Sequence, residues 1–129
     1  MRFVHGIQSW RIMMARARNK VIAGDYKGKL VGGSFGEAFI SLTMTKLLYL
    51  NKETVGSLTP LDDDSQISVA SAAMRGLVGE LVLGPIGLVA AATAKRNGIH
   101  IVGIEFKDGK RSVVEVDDKR YRSMVQACF

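Results

Sequence analysis

Cysteine is almost absent. Cys128 is the single one in 129 residues, which excludes an intrachain disulfide and a cysteine-built zinc site within one chain, and fits a reducing compartment. Histidine is scarce as well, with only His5 and His100. His5 lies near the start, and His100 sits between Ile99 and Ile101 in a strand-like run, where a structural role is expected. No nucleophile, base and stabiliser assemble from the pattern, so the sequence predicts no enzyme, no cofactor and no metal site. Long apolar runs are missing too. The longest uncharged stretch, Leu81 to Ala94, is shorter than the roughly 20 residues a bilayer-spanning helix needs. No secretory signal is visible, because His5, Gln8 and Arg11 break up any apolar core near the start.

Acidic charge is missing from the beginning of the chain. Residues 1–30 carry Arg2, Arg11, Arg16, Arg18, Lys20, Lys27 and Lys29 against Asp25 alone, and so hold the entire net charge of +6. The rest is balanced, which argues against a basic nucleic-acid face on the folded body. Residues 1–19 read as a basic leader. Phe3, Ile7, Trp10 and Met14 fall at helical spacing, so the leader is either a short amphipathic helix on an anionic membrane surface or a frayed, disordered segment. Its candidate contact residues, for membrane or nucleic acid, are Arg2, Trp10, Arg11, Arg16 and Arg18. The natural start is Met1, Met13 or Met14.

What is present from residue 20 onward is an ordinary globular composition, 47% apolar and 23% charged, enough to build one β-rich domain over 20–129. Val21–Gly24 is a short apolar run followed by turn chemistry at Asp25–Gly28. Gly32–Gly36 is glycine-rich but lacks the phosphate-binding spacings, and reads as a glycine bend between strands. Glu37–Thr45 alternates, with Ala38, Ile40, Leu42 and Met44 on one face. Lys46–Leu50 and Thr54–Leu61 are two further strands. Short strands at this spacing predict an antiparallel meander. Asp62, Asp63 and Asp64 precede a helical stretch, where negative charge complements the exposed N–H groups of a helix start better than it suggests a cation site.

Ser65–Gly98 is different in texture: small, apolar and rich in glycine and alanine. Gly84-Pro85 divides it, since proline opens a helix more readily than it continues one. It is expected to form a helical hairpin, about Ser65–Leu83 and Pro85–Lys95, ended by Asn97-Gly98. Small residues let helix backbones approach closely. Gly76, Gly79, Glu80, Gly84, Pro85 and Gly87 are therefore the candidate interaction surface, whether toward a membrane, another copy of the chain or another protein. Glu80 is expected to be paired or solvated. After the insert, Ile99–Phe106 is a strand, Lys107–Lys110 a tight turn around Asp108-Gly109, and Ser112–Val116 the returning strand. Val102, Ile104 and Phe106 are expected to meet Val113, Val114 and Val116. Asp117 caps a final helix at 117–129, whose apolar stripe is Tyr121, Met124, Val125 and Cys128.

This order of strands, glycine-rich helical insert, Lys-Asp-Gly-Lys hairpin and C-terminal amphipathic helix resembles uncharacterised bacterial proteins with a pleckstrin-homology-like (PH-like) domain. The resemblance rests on Ser68–Lys95, above all Gly84-Pro85-Ile86-Gly87, followed by Ile99–Val116. It implies an α+β fold, a small barrel or two packed sheets closed by Tyr121–Phe129. It also implies a non-enzymatic binding or scaffolding role, without naming a ligand. The expected partners are a second copy, a membrane surface or another protein. The expected location is the cytoplasm, with peripheral attachment to the inner face of the cell membrane. Nucleic-acid association through the basic leader is the alternative.

Overall fold

The computed structural model describes residues 17–34, 36–61, 68, 70–83 and 98–129. In chain order they form β1 (Lys20–Gly24), β2 (Val31–Ser34), β3 (Glu37–Ser41), β4 (Leu47–Tyr49), β5 (Val55–Pro60), α1 (Ala72–Leu83), β6 (Ile99–Phe106), β7 (Arg111–Asp117) and α2 (Asp118–Cys128). The fold is α+β with two sheets, ordered β1-β7-β6-β5 and β2-β3-β4. Every pairing among the described strands is antiparallel, as the alternation predicts. A bridge between Lys20 and Leu30, together with the Val31 N–H donated to the Asn19 carbonyl at 2.8 Å, links the two sheets where β1 passes into β2.

The four-stranded sheet is buried on both faces. On one side Val21, Val102, Ile104, Phe106, Val114 and Val116 meet Val31, Ala38 and Ile40 of the three-stranded sheet and Met124 of α2. On the other side Ile22, Ala23, Ile101 and Val113 meet Met74 and Val78 of α1, with Leu61 and Ala70. Each fully buried aliphatic side chain contributes about 2 kcal/mol through area removed from water. Successive residues of a strand point to opposite faces, so Val113 faces α1 and not the core that holds Val114 and Val116. That corrects the expectation that all three share one core. In β1 the register shifts between Val21 and Ala23, which lets both Ile22 and Ala23 face α1.

Several local expectations change. Gly32 and Gly33 are not a bend between strands: they lie inside β2, in register with Phe39 and Ala38. The Phe39 ring covers Gly32 so closely that a Cβ there would lie 2.4 Å from Cζ. The strand expected over Glu37–Thr45 stops at Ser41. Beyond it the Lys46 carbonyl accepts from the N–H groups of Leu42 (3.0 Å) and Thr43 (3.2 Å), and the Thr43 hydroxyl accepts from the Lys46 N–H at 3.0 Å. Turn chemistry ends the strand and leaves Met44 wholly exposed.

Ala70 and Ser71 are not helical, so no single helix runs from Ser65 to Leu83. Ser71 opens a fresh start, its hydroxyl accepting from the Met74 N–H at 3.1 Å. The aspartates 62–64, the second helix expected over Pro85–Lys95, and most of the leader lie outside the described residues. At the far end the expectations hold. Gly109 takes φ +95 in the 107–110 turn, and the Asp117 carboxylate accepts from the Arg120 N–H at 2.9 Å to cap α2. Tyr121, Met124 and Cys128 reach the core. Val125 is only half-buried, while Ser123 is buried.

Gly24 closes β1 where it meets β7. Its φ is +83, and an added Cβ would lie 2.4 Å from the Arg111 carbonyl oxygen. Both the left-handed backbone and the close backbone approach oppose any side chain there. Gly24→Ala should lower the stability by about 1–3 kcal/mol, read as a lower urea midpoint with an unchanged slope.

Candidate interaction surfaces

Helix α1 presents two unlike faces. Its inward side sends Met74 and Val78 onto the sheet. Gly103 of β6 makes room for Met74, since a Cβ there would lie 2.7 Å from the Met74 sulfur. The Ser71 hydroxyl that caps the helix also donates to Glu105 Oε1 at 2.7 Å, fixing the helix start to β6. Its outward side carries Ala72, Ala73, Arg75, Gly76 and Gly79, all exposed. Among the described residues, a Cβ on Gly76 or Gly79 would meet nothing within 4 Å. A surface helix ordinarily shows charged and polar side chains to water, but here Arg75 is the single polar side chain among those five. Its guanidinium donates to the Ser68 carbonyl at 3.2 Å.

Of the residues singled out from the sequence, Gly76 and Gly79 thus lie together on the outward face of α1. Glu80 lies on the same helix, and nothing is described of its side chain. Gly84, Pro85 and Gly87 lie outside the described residues, as do Arg2, Trp10, Arg11 and Arg16. Arg18 is described, and it is bound to the domain. Its backbone N–H donates to Glu115 Oε2 at 2.7 Å, and its guanidinium makes an ion pair with Glu115 Oε1 at 3.1 Å. Glu115 is 8% exposed, so Arg18 neutralises a carboxylate that would be costly to bury alone. Next to it, Asn19 accepts from the Asp117 N–H at 2.9 Å and donates to its carboxylate at 3.3 Å.

A second cluster joins β6 to α2. His100 stacks on Tyr121, with ring centroids 4.2 Å apart and planes 7° apart, and its Nε2 is hydrogen-bonded to the Asp118 carboxylate. This is the structural role expected for His100, with a partner the sequence did not reveal. That hydrogen bond holds the Asp118 carboxyl below its ordinary value. Cys128 also behaves as a packing residue: burial alone pushes its thiol up.

The third feature is a cavity of about 330 Å³ at the rim of the three-stranded sheet, lined by Glu37, Ala38, Tyr49, Leu50, Asn51 and Ala127. The sequence reading names none of these as functional, because they come from three separate stretches. It also misses that Gly32–Gly36 spells Gly-x-Ser-x-Gly. The pattern marks a catalytic serine only at a strand-to-helix turn, and here the flanking elements are the paired strands β2 and β3. Among the described residues, no group of three or more His, Cys, Asp or Glu is gathered to hold a metal, and no helix is long and apolar enough to cross a membrane. Comparison with family models, with curated proteins and with solved structures finds no match.

The His100 contact has a measurable sign. A carboxyl held low by a folded-state partner contributes stability above its unfolded value, and that contribution disappears as pH falls through the lowered value. In an NMR titration, Asp118 should ionise below its ordinary 3.8 in the native protein and move back toward it in His100→Gln. Identical Asp118 titrations in the two proteins would disprove the coupling.

Proposed function

We propose that this protein is a non-enzymatic binding or scaffolding domain of PH-like architecture, whose glycine- and alanine-rich insert, residues 65–98, mediates its association. The two-sheet meander followed by a C-terminal amphipathic helix supports the PH-like reading. The observation that carries the functional reading is the outward face of α1: four small residues, Ala72, Ala73, Gly76 and Gly79, exposed on a helix whose opposite side is fixed to the sheet.

Among the partners such a face suits, physical chemistry favours another helix over a bilayer. Membrane-surface helices bury large side chains such as Trp, Phe and Leu, and alanine and glycine offer little apolar area. Their small size instead allows two helix backbones to approach closely. The preferred partner is therefore α1 of a second copy. The alternative, a nucleic acid bound by the leader, loses one of its cations to the Arg18–Glu115 pair.

The double substitution Gly76→Leu, Gly79→Leu tests this directly. A Cβ at either position meets nothing within 4 Å among the described residues, and leucine has the better helix propensity, so folding should be preserved. In sedimentation velocity the native protein should self-associate and the variant should dissociate at least tenfold more readily. Flotation with anionic vesicles separates the readings, because a membrane-seeking face would bind more strongly with leucine. A native protein that is monomeric and ignores vesicles would overturn the proposal.

A further inference from the structure

We propose that the cavity at the rim of the three-stranded sheet is a binding site for a basic side chain, the guanidinium or ammonium group of an arginine or lysine presented by a partner polypeptide. Its volume of about 330 Å³ falls at the small end of the ligand-site range of about 300–1,000 Å³, too small for a large cofactor and adequate for one extended side chain.

The lining supplies the three contacts that such a group requires. Among the described lining residues Glu37 is the charged one, and its side chain is exposed. Among the described residues no cation pairs with it. A carboxylate left without a cation at the mouth of a pocket favours a positive ligand. Tyr49 supplies an aromatic ring, whose π-face attracts a cation. The ring is held in place by edge-to-face contact with Phe39, with centroids 5.8 Å apart at 62°. Ala127, half-buried, supplies an apolar contact for a methylene stem, while Ala38 and Leu50, each 1% exposed, back the floor of the cavity from the core.

The site is also preorganised. The Leu50 N–H donates to the Ala38 carbonyl at 2.8 Å. The Asn51 side-chain oxygen accepts from the N–H groups of Glu53 (2.9 Å) and Thr54 (3.3 Å). The Thr54 hydroxyl donates to the Tyr49 carbonyl at 2.6 Å. These bonds fix the turn between β4 and β5 and hold Tyr49 and Asn51 in position before any ligand arrives, which reduces the ordering cost of binding.

The test is an NMR titration of the full chain with Nα-acetyl-arginine amide, and in parallel with Nα-acetyl-citrulline amide, its neutral isostere. The arginine probe should produce saturable shifts at the backbone amides of Ala38, Leu50, Asn51 and Ala127 at millimolar concentration, and citrulline should bind at least fivefold more weakly. Glu37→Gln should weaken the arginine probe by about fivefold, the size expected for a partly exposed ion pair. Ala127→Leu should abolish binding by filling the cavity while leaving the rest of the spectrum in place. Equal binding of the two probes, indifference to Glu37→Gln, or no saturable shift with either probe would overturn the proposal. None of these outcomes depends on self-association through α1.

Discussion

The structure depends on one constraint: the β6–β7 pair is apolar on both faces and needs a cover on each side. Val113 and Val114 are neighbours in sequence, yet they belong to different cores. One layer is supplied by the three-stranded sheet with α2, the other by α1. Without α1, Ile22, Ile101, Val113 and Leu61 would face water. Without the other layer, Val102, Ile104, Val114 and Val116 would do so. Each loss amounts to several buried aliphatic side chains at about 2 kcal/mol apiece, comparable with the whole stability of a small domain, about 5–15 kcal/mol. The described part of the insert is therefore indispensable to the fold, and only its outward face is free for other work.

The same constraint explains which parts of the fold were legible in the sequence. Asp108-Gly109 and the Asp117 cap are decided within a few residues, so composition reveals them. The strand alternation reveals β6 and β7 as strands. It does not say that both faces are buried, because that depends on what packs above and below, and so the sequence alone does not separate Val113 from the core of Val114 and Val116. Gly32 and Gly33 read as a bend because glycine weakens a strand on its own. The compensation comes from Phe39 on the adjacent strand, a contact no local window contains. Met44 fits the alternation perfectly and is nevertheless exposed, because the hydrogen bonds of Lys46 and Thr43 turn the chain two residues earlier.

The candidate sites were legible to different degrees for the same reason. Gly76 and Gly79 sit on one helix at i and i+3, so their shared face follows from spacing. The cavity brings together Glu37, Tyr49 and Ala127, from β3, β4 and α2, and no local signal relates them. Arg18 shows the same limit in electrostatics. Counted along the chain, it belongs to a basic leader. In space its charge is compensated by Glu115, 97 residues away, and its first duty is to the domain.

The two proposed surfaces lie in different layers, with the four-stranded sheet between them. Contact through α1 leaves the cavity rim uncovered, so association and side-chain capture do not compete for the same surface. A pair of chains joined through α1 would carry two cavities, one in the far layer of each chain. A single exposed ion pair and one aromatic contact bind weakly. Two of them on one joined pair would engage a partner with repeated basic side chains much more tightly, because the second capture becomes intramolecular. If both proposals hold, weak sites on a self-associating domain would have a physical logic: affinity would be set by the pairing of the chains, and a partner with only one basic side chain would be released.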